Sequence, residues 1–200
     1  MGGRDSGCPR TGPAAFPYMG DFSLTSWNAQ ALMATEPRRR KAKWGHCLHL
    51  LGRSDVMVLQ ETHSTRANTA RLILPHSHRF WWSHGTQQTA GIAIGVATTL
   101  LNKFGQPTMG RPGEWTDIVA GRAAMLRLEG PQGAFDLIVV YLHTGKARKD
   151  RDRIRRAIYP HLRKPAEALT VIVGDWNFVT MKTDRMGLED AGWTDAQDAE

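Results

Sequence analysis

The chain has 200 residues, 41% of them hydrophobic, enough for one domain with its own core and nothing that forces a second. Lys and Arg number 26 against 19 Asp and Glu, and the resulting net charge of +7 favours polyanionic partners, because neutralised phosphates release their condensed counterions. Two cysteines, Cys8 and Cys47, exclude a disulfide framework and point to a reducing compartment, and no run approaches the roughly 20 apolar residues of a transmembrane segment.

Residues 1–20 are dense in glycine and proline, among them Gly2, Gly3, Pro9, Pro13, Pro17 and Gly20, and are read as a disordered leader ahead of a single domain spanning 21–200. The start Met1-Gly2-Gly3-Arg4-Asp5-Ser6 fits the permissive myristoylation pattern and lacks the apolar stretch of a secretory signal. Phe22 to Asn28 alternates apolar with polar residues, which predicts a strand with one buried face, ending on Asn28. A helix follows, with Thr35 as its expected N-cap and Pro37 in its first turn; Trp44, Cys47, Leu48 and Leu51 form the apolar side. Its other side is basic through Arg38, Arg39, Arg40, Lys41 and Lys43, either a solvated face or a phosphate-contacting one.

Three short apolar runs share one arrangement. Val56 to Leu59 leads into Gln60-Glu61, Leu137 to Val140 into Tyr141-Leu142-His143, and Leu169 to Val173 into Gly174-Asp175-Trp176-Asn177. Each is expected to be a strand buried on both faces that delivers polar side chains at its end. Between them, Gly91 to Val96 and Ala123 to Leu128 are predicted strands, the latter forming a hairpin with 136–141 across Glu129-Gly130-Pro131-Gln132-Gly133. Ala147 to Tyr159 places Ile154 and Ile158 on one side and Lys149, Arg151, Arg153, Arg155 and Arg156 around the rest, a basic amphipathic helix ending near Pro160.

The polar strand ends match what phosphodiester hydrolysis requires: a metal to neutralise phosphate oxygens, a group to orient or deprotonate water, and donors for the transition state. A carboxylate fixed at a strand end, Glu61, suits Mg²⁺, which accepts one or two protein carboxylates and keeps several waters. Asp175 could activate water and Asn177 could bond a phosphate oxygen or the nucleophile, although Asp-x-Asn after glycine is also an ordinary turn composition.

Trp27-Asn28 after a strand, Leu59-Gln60-Glu61-Thr62-His63 after an apolar run, Gly121-Arg122, Val140-Tyr141 and Gly174-Asp175-Trp176-Asn177 occur in an order and spacing that resembles the endonuclease/exonuclease/phosphatase superfamily. The likeness spans about residues 22–190. The Gln-Glu-Thr-His wording and the Asp184-Arg185 pair look most like the endonucleases of LINE-type retroelements and their apurinic-site relatives. This resemblance implies a four-layer α/β/β/α sandwich with function at one rim. It implies Glu61 as Mg²⁺ ligand, with Mn²⁺ as a substitute, and Asn28 beside it positioning ligand and metal. Asp175 would be the water-activating carboxylate, Asn177 its partner at the phosphate, and either Tyr141 or His143 the group assisting the leaving oxygen. Arg38, Arg39, Arg40, Lys149, Arg153 and Arg156 would grip a nucleic-acid backbone, DNA ahead of RNA, in an intracellular protein open to a nuclear location and with no obligate protein partner.

The family completes its site with a late Ser/Asp-rich strand and a terminal Asp-His pair, whereas this sequence has no histidine after His161. Asp184, Asp190, Asp195 and Asp198 cannot replace an imidazole in proton traffic near neutrality. The last strands are therefore expected to be missing and hydrolysis to be impaired. Two other readings stay open: a non-catalytic nucleic-acid-binding remnant, and a phosphatase or sphingomyelinase-like member of the same superfamily.

Overall fold

The computed structural model describes residues 16–104, 113–145 and 147–177. Leader residues 1–15, Lys146, and the stretch 178–200 with Asp184-Arg185 and the later aspartates lie outside the described residues. The strands are β1 (Leu24–Asn28), β2 (Val56–Gln60), β3 (His78–Ser83), β4 (Ile92–Ala97), β5 (Glu114–Val119), β6 (Ala123–Gly130), β7 (Gly133–Tyr141) and β8 (Leu169–Asp175). The helices are α1 (Pro37–Leu51), α2 (Arg66–Thr69), α3 (Thr98–Leu101) and α4 (Arg148–Ile158). They build two four-stranded sheets, ordered β1-β2-β4-β3 and β5-β6-β7-β8.

Each sheet is mixed in the same way. One parallel pair, β1 with β2 or β7 with β8, is bridged by a helical crossover, α1 or α4, and the other pairings are antiparallel. Because side chains alternate along a strand, successive residues of β2 and β7 enter different apolar layers. Val56 and Val58 meet Leu137 and Val139 between the sheets, Met57 and Leu59 face Cys47 and Leu51 of α1, and Ile138 and Val140 face Ile154 and Ile158 of α4. The order of layers is therefore helix, sheet, sheet, helix, the expected sandwich. Full burial of each such aliphatic side chain stabilises the fold by about 1.5–3 kcal/mol.

A parallel pair ends both its strands at one edge of its sheet. Asn28 and Gln60 are register partners at the end of β1 and β2, and Tyr141 and Asp175 at the end of β7 and β8. Both crossover helices consequently begin at the edge that carries the polar strand ends.

Four expectations change. The fold takes in part of the leader: Pro17 bridges Ala134, Tyr18 N–H donates to the Ala134 carbonyl at 3.0 Å, and the Tyr18 ring is buried among Phe22, Phe104 and Phe135. An aromatic side chain outweighs the breaking tendency of the neighbouring Pro and Gly once a pocket exists for it. The N-cap of α1 is Glu36, with no side-chain cap bond, rather than Thr35. Strand β8 is only half buried, with Ile172 exposed, because among the described residues it is the edge strand of its sheet and α4 packs over β6 and β7. Arg151 is not part of a basic surface: it is 1% exposed, and its guanidinium donates to the His143 and Gly145 carbonyls at 3.2 and 2.6 Å, fixing the loop between β7 and α4. Strands β3 and β5 lie outside those expected from sequence.

Candidate active site

The two sheets meet at a single hydrogen bond between predicted site residues. Asn28 at the end of β1 donates through Nδ2 to Asp175 Oδ2 at the end of β8, 2.6 Å apart and 147 residues distant in sequence. The other Asp175 oxygen accepts the Asn177 backbone N–H at 2.9 Å, and Asn177 Nδ2 donates to the Leu142 carbonyl at 2.7 Å. The Asp-x-Asn turn and the site geometry are thus one structure: the turn is what holds the carboxylate. Asn28 Oδ1 accepts the Gln30 N–H at 3.1 Å, which fixes the amide orientation of Asn28 from both ends.

Gly174 permits this arrangement. A Cβ there would lie 1.8 Å from the Val140 carbonyl oxygen, so only glycine lets β8 run this close to β7 before delivering Asp175.

Glu61 follows β2 directly, with φ of 52°, a left-handed conformation that costs a non-glycine residue on the order of 1–3 kcal/mol. Its surroundings over-determine it. Ala31 N–H donates to the Glu61 carbonyl at 2.7 Å, Thr62 and His63 N–H groups donate to Gly91 and Ala90, and buried Thr62 and Ser64 hydroxyls bond each other at 3.0 Å. Ser64 Oγ in turn meets His84 Nδ1 at 3.2 Å. The Glu61 carboxylate lies 3.7 Å from His63 Nε2.

Tyr141 ties these groups together. Burial pushes its phenol pKa upward, and the negative charges of Glu61 and Asp175 push it the same way, while Arg122 opposes them. Both carboxylates therefore sit within electrostatic reach of one hydroxyl. The Arg122 guanidinium stacks 4.5 Å from the Tyr141 ring centroid. His143 is placed differently: its pKa is lowered by burial and then by Arg122, and its remaining charged neighbours are Asp150, Arg153 and Arg151 of α4.

Sequence reasoning passed over several neighbours of the site. Lys43 donates to the Ala29 and Gln30 carbonyls and feels the Glu61 charge, although burial is the larger influence and lowers its pKa. His63 and His84 flank the Glu61 loop, and Arg122 was legible only as half of a Gly-Arg motif. Among the basic residues singled out, Arg38 and Arg39 are exposed near the start of α1, and Arg40 is half buried with its guanidinium on the Ala34 carbonyl at 3.4 Å. Lys149, Arg153 and Arg156 line one surface groove on α4 together with Asp152, whose carboxylate is paired to Arg155 at 2.5 Å.

The Glu61 carboxylate and the Asn28 Oδ1 amide oxygen are hard oxygen donors, the class that a largely hydrated divalent cation takes. Among the described residues no group of three or more His, Cys, Asp or Glu side chains could hold a metal, so a protein-only cage of the zinc type is not present there.

The sequence profile of the Endonuclease/Exonuclease/phosphatase family matches residues 25–195. The chain belongs to that family. Among curated proteins none matches it. Solved structures share its fold: the AP endonuclease LMAP from Leishmania major, at 15% identity and a TM-score of 0.60, aligns over 88% of this chain and 64% of its own. An AP endonuclease from Archaeoglobus fulgidus aligns at 14% identity and a TM-score of 0.56, covering 82% of this chain and 60% of its own. The 3′ phosphatase NExo from Neisseria, bound to product DNA hairpin, aligns at 16% identity and a TM-score of 0.55, covering 82% and 61%. The chain spans about three fifths of the length of these structures.

Proposed function

We propose that this member of the endonuclease/exonuclease/phosphatase family is a Mg²⁺-dependent phosphodiester hydrolase acting on DNA, of the retroelement or apurinic-site type. The observation that carries the reading is the bond from Asn28 to Asp175, which joins the two sheets beside the Glu61 strand end. In this mechanism Asp175, its oxygens held by Asn28 and Asn177, orients and deprotonates the attacking water. Tyr141 keeps its proton at neutral pH and donates to the leaving oxygen. Its links to both carboxylates favour it over His143 for this duty. Glu61, with Asn28 Oδ1, would hold Mg²⁺ or Mn²⁺, which when bound neutralises charge on the phosphate oxygens. The Neisseria structure's DNA hairpin and the basic starts of both crossover helices support DNA as the substrate, and the wording Gln60-Glu61-Thr62-His63 supports the retroelement branch. A reducing, intracellular setting, open to a nuclear location, belongs to the same reading.

The second reading is nucleic-acid binding without turnover, which the net charge of +7 would serve on its own. Nicking of supercoiled plasmid separates the two. The proposal expects Mg²⁺-dependent nicking that EDTA stops and that Glu61→Ala or Asp175→Ala lowers by about 10²–10⁴-fold, the usual loss for an acid/base or metal-binding group. Binding that weakens steeply with salt but yields no nicks in Mg²⁺ or Mn²⁺ would establish the non-catalytic reading instead.

A further inference from the structure

Beside the Glu61 loop, on the side of α1, lies a groove of about 200 Å³ whose lining has a distinct chemistry. Leu32 and Met33 are buried along it, Trp44 and Leu72 are half buried against the same apolar cluster, and Arg40 and Lys41 supply two cations. Among the described residues no carboxylate lines it. The groove is coupled to the candidate active site through backbone: Ala31 N–H bonds the Glu61 carbonyl at 2.7 Å and Met33 N–H bonds the Thr62 carbonyl at 2.9 Å.

We propose that this groove is a nucleobase subsite, taking one unpaired base of a single-stranded or flipped-out nucleotide against Trp44 and Leu72, with the adjoining phosphate on Arg40 and Lys41. An apolar slot with an aromatic wall and cations at its mouth matches the two ends of a nucleotide. Aromatic rings bind bases by their π-faces, without base specificity, while Lys and Arg hold the backbone. Charge complementarity favours this occupant over a neutral apolar ligand, which would offer no anion to Lys41 and Arg40, and the backbone connection to the Glu61 loop favours a substrate strand over a separate partner. This subsite rests on the phosphodiesterase reading but is tested apart from it.

The measurement is fluorescence anisotropy of a labelled single-stranded oligonucleotide in Ca²⁺, which permits binding without requiring turnover. Trp44→Leu preserves apolar bulk against Phe80 and removes the indole ring. It should weaken binding by about 5- to 150-fold, the ratio supplied by one base on an aromatic ring. A polyphosphate chain of equal charge, a strand without sugars or bases, should bind the native protein with the same deficit and lose nothing further on Trp44→Leu. Equal losses on the oligonucleotide and the polyphosphate, or no loss on either, would overturn the subsite. So would a Trp44→Leu effect seen only with phosphatidylserine vesicles or an acidic peptide, which would assign the groove to a lipid or protein partner. Should Trp44→Leu fail to give a cooperative thermal melt, Leu72→Ser alters the opposite wall and carries the same two-strand comparison. Failure of the hydrolase reading shows itself separately, as absent nicking in Mg²⁺ with the Trp44 effect intact.

Discussion

At the scale of single residues, the site is controlled by which groups carry protons. Tyr141 is pushed toward its neutral form by burial and by two nearby carboxylates, which suits a hydrogen-bond donor and not a base. Two histidines near the site, His84 and His143, are pushed the other way: burial lowers both pKa values, and nearby Arg66 or Arg122 adds to the effect. Their sign in stability is unambiguous. With folded pKa values below the unfolded value near 6.5, the unfolded chain binds more protons in the window just under that value. Stability is therefore complete above about pH 6.5 and falls as pH drops through the window toward the folded pKa values. Thermal melts between pH 7.5 and 5.5 should show Tm falling with acidity, and the double substitution His84→Gln with His143→Gln should flatten that dependence. A native Tm that rises on acidification would contradict the burial of both rings.

At the scale of elements, the parts legible in sequence were those whose pattern is local. Strands β2, β4, β6 and β7 announced themselves as apolar runs, and the polar residues at the ends of β1, β2, β7 and β8 pointed to the rim they share. Less legible was anything decided by a distant partner. Tyr18 sits in a stretch whose Gly and Pro content argues against structure, yet Ala134 and three phenylalanines give it a place. Arg151 has the look of a surface cation until the carbonyls of His143 and Gly145 require a donor. Asp136 is the plainest case. Within an apolar strand it is fully buried, bonded to Arg127 Nε at 3.1 Å and to Arg163 at 2.6 and 2.8 Å, and Arg163 also reaches Glu129. This network pins the segment after α4 onto β6 and β7, so that β8 enters in register. Asp136→Ala would leave the Arg127 guanidinium with no carboxylate and Arg163 with only the exposed Glu129, and the expected cost is about 3–5 kcal/mol. Urea denaturation reads it directly; a loss under about 1 kcal/mol, the ordinary value of an exposed ion pair, would mean that the cluster is solvated in solution.

At the scale of the whole molecule, the repeated strand-helix-strand crossover explains why charge and chemistry share one edge. Since β1 and β7 both end at the rim, α1 and α4 both start there, on opposite outer layers, and carry Arg38 and Arg39 on one side and Lys149 and Arg153 on the other. The first turn of α1 holds no acidic residue and three arginines, an arrangement that opposes the helix dipole by about 0.3–1 kcal/mol per exposed cation. A helix selected for stability alone would not be built so, and a polyanion at the rim supplies the compensating charge. If one duplex contacts both helix starts, each cation that meets a phosphate adds about 0.9 to the slope of log K against log salt. Replacing Arg38 and Arg39 by Gln should then reduce the slope by about two, replacing Lys149 and Arg153 by Gln should reduce it by about two more, and the two sets combined should add. Binding titrations on a short duplex across a range of salt concentrations measure this. Additive reductions require a substrate that spans the rim from one crossover helix to the other, whereas a slope that responds to only one set would confine the nucleic acid to that layer and leave the other helix with a merely solvated face.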